Sequence, residues 1–209
     1  PSDVIITQEF VNKIFDKYYG STLNLNELQD GINVIKEWYE DQGYSIARVS
    51  GPDRISDNGS IQLNIDEGIV SGIEIRFLGT DEEVRKGKTK EWVIRRELKT
   101  NSGVVFNRKI LESDIKRLYA TSLFNDINVS LKPDSQNSKK VIIALDISEQ
   151  RTGSLTGGIG FSNSAGVFAQ LGLKESNAFG RAWSSDMNLN FGDYSTTFNF
   201  SLLDPWIKG

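Results

Sequence analysis

The C-terminal part of the chain, from Val167 to Leu202, alternates between apolar and polar side chains in three segments separated by turn residues. In the middle segment, for example, Met187, Leu189 and Phe191 are interleaved with asparagines. Because successive side chains of a β-strand point to opposite faces, each segment has one apolar and one polar side. Each segment is about nine residues long, roughly the length that a tilted strand needs to cross the hydrocarbon of a bilayer. The pattern therefore predicts the first strands of a transmembrane β-barrel, in which every backbone group pairs with a neighbouring strand.

The apolar side of these strands is predicted to face lipid. The predicted lipid-facing residues are Leu171, Leu173, Trp183, Met187, Leu189, Phe191, Phe198, Phe200, Leu202 and Trp206. A soluble β-sandwich with one buried face shows the same alternation, so the pattern alone leaves both alternatives open. Aromatic residues at the segment ends favour the barrel, because barrels carry aromatic girdles where lipid meets water.

Composition excludes several classes of function. The 209 residues carry a net charge of −4, which argues against general binding of nucleic acid. The chain contains no cysteine and no histidine, which excludes disulfide scaffolds and thiolate zinc sites and removes the commonest general base. No apolar run approaches the roughly 18 residues that a transmembrane helix needs. We therefore expect no catalytic residue, no metal site and no cofactor, and we interpret the chain as a non-enzyme.

The same order of elements occurs twice in residues 1–150. In the first copy, apolar residues at helical spacing from Leu28 to Tyr39 predict a helix. Asn24 or Asn26 is its predicted cap, and Gly43 is predicted to end it.

A predicted hairpin follows this helix. Its first strand runs through Tyr44, Ala47 and Val49, its turn lies at Asp57-Asn58-Gly59, and its return strand includes Ile61, Leu63 and Ile65. Alternation of apolar residues in the return strand indicates one buried face.

The second copy repeats this pattern about eighty residues later. A helical stripe from Leu111 to Tyr119 has Asn107 as its predicted cap. A strand from Phe124 to Val129 and a return strand from Ile143 to Ile147 follow it.

Each copy also has an earlier helix, predicted at Thr7–Tyr18 and at Glu91–Leu98. A clear strand precedes this helix in the second copy, at Ile73–Phe77, whereas in the first copy it is absent or reduced to Val4-Ile5-Ile6. The predicted unit is strand, helix, helix, strand, strand, an α+β arrangement in which the helices cover one face of a sheet. The predicted domains are residues 1–70 (with a truncated front), residues 71–150, and residues 151–209 as the first strands of an incomplete barrel.

Two charged features are interpreted as structural. Glu67 and Glu149 stand at equivalent positions of the two copies, so they are expected to end strands beside linkers rather than to form a catalytic pair. The basic residues between Lys86 and Arg96 are expected to be a solvated loop, with contact to anionic headgroups as the alternative.

Several short motifs occur in a characteristic order. They are Gly43-Tyr44, Asn64 to Gly68, Ile73 to Gly79, Leu118-Tyr119, Phe124, Glu149 to Gly153, Gly157 to Ser162, Asn177 to Arg181, and Asp204-Pro205-Trp206. In this order and spacing they resemble the outer-membrane assembly insertase superfamily, which includes the BAM-complex insertase and the chloroplast outer-envelope import channel. The sequence from Gly157 to Ser162 is more similar to cyanobacterial and plastid members.

The resemblance implies tandem POTRA domains followed by antiparallel strands of an incomplete transmembrane barrel. It implies a factor for outer-membrane protein assembly or polypeptide translocation, located in an outer membrane with POTRA domains in the periplasm or in a plastid intermembrane space. The implied partners are unfolded outer-membrane proteins or precursor polypeptides, the lipid bilayer and other assembly subunits, and no nucleic acid. Alternatives are a two-partner secretion pore with one client, or the secretion vehicle of an enzyme domain absent from this chain.

The resemblance also implies that clients add a strand to exposed sheet edges, held by main-chain hydrogen bonds. The candidate edge strands are Tyr44–Ser50 and Phe124–Leu131, and the alternative is that they are merely hairpin partners. The candidate client-binding residues are Asn125, Ile127, Asn128, Val129, Leu131, Tyr44, Ala47 and Val49. Because roughly eight strands are needed to close a barrel, we expect the incomplete sheet to pair its edges with another chain, such as a second copy.

Overall fold

The structure, a computed structural model, describes residues 5–52, 56, 59–163 and 166–206. In chain order the elements are α1 (Gln8–Phe15), a 3₁₀ helix (Asp16–Tyr18), α2 (Leu25–Gln42), β1 (Arg48–Ser50), β2 (Asn64–Asp66), β3 (Ile69–Leu78), β4 (Val84–Arg85), α3 (Glu91–Arg95), α4 (Arg108–Ala120), β5 (Phe124–Pro133), β6 (Lys140–Glu149), β7 (Gly153–Ser162), β8 (Gly166–Ala178), β9 (Trp183–Gly192) and β10 (Thr196–Leu203). Among the described residues, every helix is too short or too polar to span a membrane.

The chain forms two compact units. Unit 1 comprises Pro1–Glu74, Lys99–Ser113 and Ser130–Ile143, and unit 2 comprises Ile75–Leu98, Asp114–Val129 and Ala144–Gly209. The core of unit 1 forms where α2 packs against β1, and it includes Ile35, Tyr39 and Val49. The core of unit 2 includes buried residues of α3, α4 and β6, namely Val93, Ile94, Leu118, Leu145 and Ile147.

Helix α2 begins and ends where the sequence predicts. The side chain of Asn24 caps it by accepting a hydrogen bond of 3.0 Å from the Asn26 N–H. Gly43 ends it in a left-handed conformation with a φ of 96°, which favours glycine over residues with a Cβ atom. The apolar stripe of α2 places Ile35 and Tyr39 in the core.

The hairpin after α2 is shorter than predicted. β1 and β2 pair antiparallel over three residues each, with Val49 opposite Ile65. Tyr44 and Ala47 precede β1, because the Tyr44 N–H bonds the Tyr39 carbonyl and the Ala47 N–H bonds the Tyr44 carbonyl in a turn. Their place in an edge strand was therefore predicted wrongly.

The rest of this hairpin departs from prediction in its return strand. Ile61 and Leu63 lie before β2 rather than in a strand, whereas Ile65 lies in β2. Asp57 and Asn58 of the predicted turn lie outside the described residues, and the neighbouring Gly59 has a φ of 78°.

The second repeat has a four-stranded sheet in the order β4-β3-β6-β5, so β5 lies at an edge. The Asn107 side chain caps α4 by accepting a hydrogen bond of 3.2 Å from the Ile110 N–H, as predicted. Helix α3 ends at Arg95, earlier than predicted, although Leu98 beyond it is still buried. The side chain of Trp92, in contrast, is exposed.

The C-terminal strands form a four-stranded antiparallel sheet in the order β10-β9-β8-β7. Directly opposed residues of an antiparallel pair share a face. Leu171 opposes Leu189, and Leu189 opposes Phe198, so the apolar residues of successive strands lie on one face. The polar residues Gln170, Asn190 and Thr197 oppose one another in the same way on the other face.

Candidate client-binding edge and lipid-facing sheet

The outer edge of β5 is the first candidate site. Asn125 and Asn128 are exposed, whereas Phe124 and Ile127 are buried. Two buried residues three positions apart break the strict alternation of a strand, so β5 is irregular at its start. Beyond this irregularity Val129 is half-buried and Leu131 is exposed.

A tyrosine side chain occupies the irregular part of this edge. The Tyr119 hydroxyl accepts a hydrogen bond of 3.0 Å from the Ile127 N–H, and it lies 3.3 Å from Asp126 Oδ1, to which it donates. The Ile127 backbone donor is therefore already paired. A strand added to β5 would use the backbone beyond Ile127.

The predicted edge strand of the first repeat provides less backbone for strand addition. Of its candidate residues only Val49 lies in a strand, and its side chain is buried. Tyr44 and Ala47 are half-buried against the core of unit 1. β1 has three residues, whereas β5 has ten. The longer edge is therefore the better support for an added strand.

The apolar face of the β7–β10 sheet is the second candidate site, and it is exposed. It carries eight of the ten predicted lipid-facing residues, namely Leu171, Leu173, Met187, Leu189, Phe191, Phe198, Phe200 and Leu202. Strand β7 extends the face with exposed residues that were not predicted to face lipid, namely Leu155, Ile159 and Phe161. Ile159 is 88% exposed, although a large apolar side chain is favoured in a non-aqueous environment.

Two of the residues predicted to face lipid, both tryptophans, lie against arginine side chains instead. Trp183 is half-buried, with the Arg181 guanidinium 5.0 Å from its ring centroid. The Trp206 Nε1–H donates a hydrogen bond of 3.2 Å to Glu97, and its ring lies 4.5 Å from the Arg96 guanidinium. Trp206 thus lies against the end of α3, which departs from the lipid-facing placement predicted for it.

The two equivalent glutamates have equivalent structural roles. Glu149 accepts hydrogen bonds from the N–H groups of Lys88 (2.9 Å) and Thr89 (2.6 Å), just before α3. Glu67 accepts hydrogen bonds from the Ile5 N–H (2.5 Å) and the Tyr39 hydroxyl (2.6 Å). Each carboxylate therefore fixes the segment that leads into the first helix of its own repeat.

The Tyr39 hydroxyl is a titratable group in the core of the first repeat. Burial, together with the hydrogen bond to Glu67, raises the pKa of Tyr39 well above its ordinary value. This hydroxyl therefore stays protonated and donates to the carboxylate. Across the described residues there is no cluster of three or more acidic side chains arranged to hold a metal ion.

Comparisons with known protein families agree with this architecture. The model for POTRA, described as a surface antigen variable number repeat, matches residues 74–150, and the model for the ShlB-type POTRA domain matches residues 4–68. The N-terminal domain of Omp85 from the cyanobacterium Thermosynechococcus elongatus is 40% identical, with a TM-score of 0.67, over 72% of this chain and 64% of that one. Both matched models are POTRA families, and the relatives of the chain are Omp85-family insertases.

Two further relatives extend this Omp85 likeness beyond the POTRA region. Outer envelope protein 80, chloroplastic, from Arabidopsis thaliana is 28% identical over 98% of this chain and 29% of its own length. BamA from Haemophilus ducreyi lacking POTRA domains 1–3 shares the fold at 24% identity, with a TM-score of 0.56, over 97% of this chain and 38% of that one. The chain thus spans less than a third of the length of this curated relative.

The comparisons confirm several expectations from the sequence. The fold consists of POTRA-like α+β units followed by antiparallel strands. The expected location is also confirmed, an outer membrane with the POTRA domains in the periplasm; one similar structure is POTRA1-3 of the periplasmic domain of Omp85 from Anabaena, at 35% identity and a TM-score of 0.65 over 70% of this chain and 60% of that one. The similarity to plastid and cyanobacterial relatives likewise matches the resemblance seen from Gly157 to Ser162.

Proposed function

We propose that this chain belongs to a factor that captures unfolded polypeptide and delivers it to an outer-membrane barrel. The observation that carries the proposal is that one chain joins an open strand edge, β5, to an uncovered apolar sheet, β7–β10. Curated relatives from Buchnera aphidicola and Nitratidesulfovibrio vulgaris are named as outer membrane protein assembly factor BamA. The proposed domains are two POTRA domains, at residues 1–70 and 71–150, and the start of a barrel at residues 151–209.

The proposed capture site is the outer edge of β5, with Asn125, Ile127, Asn128, Val129 and Leu131. Main-chain hydrogen bonds hold an added strand without requiring one client sequence, which suits a factor that serves many clients. The β1 edge, with Tyr44, Ala47 and Val49, is a secondary site because only three of its residues form a strand.

The proposed partners are unfolded outer-membrane proteins or precursor polypeptides, the lipid bilayer and other assembly subunits. Free energy for delivery comes from folding of the client and burial of its apolar surface in lipid, so the proposed activity is not enzymatic and needs no cofactor. The outer edges of β7 and β10 are proposed to pair with further strands, either of the barrel or of a second copy.

A proline at position 129 tests the capture site. N–H groups two residues apart in a strand point to the same side, and the Ile127 N–H is bonded to Tyr119 rather than to a neighbouring strand. The Val129 N–H is therefore expected to point outward. Val129→Pro removes this donor and should weaken binding of fluorescent unfolded barrel peptides about tenfold. Val129→Ala is the matched control, because it shortens the side chain and keeps the donor.

The outcomes separate the functional alternatives. Equal binding by a folded Val129→Pro variant would eliminate strand addition at β5. Binding of peptides from several unrelated barrels supports an assembly factor, whereas binding of a single client supports a dedicated secretion pore.

A further inference from the structure

The rim of the β7–β10 sheet contacts the segment before α3 through a buried polar pair, and all residues involved belong to unit 2. Asn177, at the end of β8, is 2% exposed, and Thr89 is 3% exposed. The Asn177 Nδ2–H donates a hydrogen bond of 2.8 Å to Thr89 Oγ1, while Asn177 Oδ1 accepts one of 2.8 Å from the Ala182 N–H. Loss of one partner would leave the other buried and unpaired, so the pair stabilises the contact.

The backbones of the two segments also meet directly. The Lys90 N–H donates a hydrogen bond of 2.8 Å to the Gly180 carbonyl, in the turn between β8 and β9. Gly180 has a φ of 70°, and a Cβ atom there would collide with the Lys88 carbonyl oxygen. The approach therefore requires glycine at this position.

Lys88 connects both sides of the contact. Its backbone N–H is held by Glu149, at the end of β6. Its ammonium group donates a hydrogen bond of 2.8 Å to Glu175 in β8 and one of 3.3 Å to the Thr152 hydroxyl just before β7. Lys88 was predicted to lie in a solvated loop, because its partner Glu175 is 87 positions away in the chain.

A second contact lies at the exit of β10. The Arg96 guanidinium lies 4.5 Å from the Trp206 ring centroid and 5.0 Å from that of Trp92, and its side chain is 16% exposed. The Trp206 Nε1–H bonds Glu97 as described above. Cation–π contact and the hydrogen bond together hold Trp206 against the end of α3.

Both contacts lie at the same end of the sheet, before β7, between β8 and β9, and after β10. Because the POTRA domains are periplasmic, this end is the periplasmic rim. A single contact would allow the α3 segment to pivot on the sheet, whereas two separated contacts fix its direction. We propose that they form a clamp, here called the rim clamp, in which Lys88 and Trp206 are positioning residues that hold the POTRA edge in register with the first barrel strand for transfer of the client.

This role in transfer rests on the proposed function, but the clamp itself can be tested without any client. The chain has no cysteine, so Asn128→Cys and Asn199→Cys provide two unique spin-label positions, both exposed and both in unit 2. Distances between the labels are measured by pulsed electron paramagnetic resonance on the whole chain in detergent micelles.

The test variant is Lys88→Met with Trp206→Leu. The matched control is Lys86→Met with Tyr194→Leu, which also removes one charge and one aromatic ring, at exposed positions outside the clamp. In the test variant we expect the fraction of molecules outside the wild-type distance peak to rise about tenfold, because an ion pair and a cation–π contact are lost. In the control we expect the wild-type distribution.

An unchanged distribution in the test variant, or equal broadening in the control, overturns the clamp. If the double variant does not fold, the same distance measurement on the single variant Lys88→Met tests the clamp. This variant is expected to fold, because the Lys88 side chain is 52% exposed and contributes little to the core. Photo-crosslinking of a β5-bound peptide to β7 then tests transfer, and we expect about tenfold less crosslinking in the test variant at unchanged peptide affinity. Failure of the wild type to bind the peptide would count against the proposed function, while the distance result would stand.

Discussion

Asn107 links the end of α2 to the start of α4 within unit 1, and its replacement provides a quantitative test of that link. Its Oδ1 atom caps α4 by accepting a hydrogen bond of 3.2 Å from the Ile110 N–H. Its Nδ2–H donates a hydrogen bond of 3.0 Å to the Gln42 carbonyl at the end of α2. The side chain is buried. One amide therefore pairs an unsatisfied donor of one helix with an unsatisfied acceptor of another.

The expected cost of Asn107→Ala has two parts. Loss of a helix cap costs about 1 kcal/mol, and loss of a hydrogen bond to a partly buried carbonyl costs about another 1 kcal/mol. We therefore expect the free energy of unfolding to fall by about 2 kcal/mol. Asn107→Asp keeps the cap and loses the donor, so it should cost about half as much.

Urea denaturation followed by helical circular dichroism measures these changes. Asn101→Ala is the control, because the Asn101 side chain is exposed and bonds the nearby Lys99 carbonyl. The reasoning is refuted if Asn107→Ala costs no more than Asn101→Ala. It is also refuted if Asn107→Asp costs as much as Asn107→Ala.

Three further changes test other parts of the molecule. Burial raises the pKa of Tyr39, so the folded state disfavours ionisation of its hydroxyl. The free energy of unfolding should therefore keep its full value below about pH 10 and fall at higher pH. Tyr39→Phe should reduce this fall, as measured by urea titrations at several pH values. Leu189→Lys should reduce partition into lipid vesicles by about 2–4 kcal/mol, whereas Asn190→Lys on the other face should change it little; equal effects in sedimentation assays would contradict a lipid-facing side. Gly180→Ala should lower the thermal unfolding temperature, since its Cβ atom meets the Lys88 carbonyl, and an unchanged temperature in calorimetry would contradict this close approach.

Features that depend on residues close together in the chain were predicted correctly. Asn24 and Gly43 mark the ends of α2 because capping and left-handed conformation depend on single residue types. The apolar face of the C-terminal sheet was predicted because alternation fixes which side chains share a face, whatever the neighbouring strand. Strand β7 was the exception, because Gly157, Gly158 and Gly160 dilute its apolar pattern.

Features that depend on distant partners were not predicted. Tyr44 and Ala47 have the composition of a strand, but turn hydrogen bonds after α2 use their backbone groups. The Lys88–Glu175 pair leaves no periodic signal, since its members are 87 positions apart. Trp206 was assigned to lipid by residue type alone, although Arg96 and Glu97 provide it with a polar partner each.

The hydroxyl of Tyr119 limits how much of the β5 edge can bind a client polypeptide. With the Ile127 donor taken, the open stretch runs from Asn128 to Pro133, where proline lacks a donor of its own. Such a short footprint offers only a few main-chain bonds, each contributing about 1 kcal/mol. Binding of a client segment is therefore weak and its dissociation is fast, which lets the same edge bind many segments in succession.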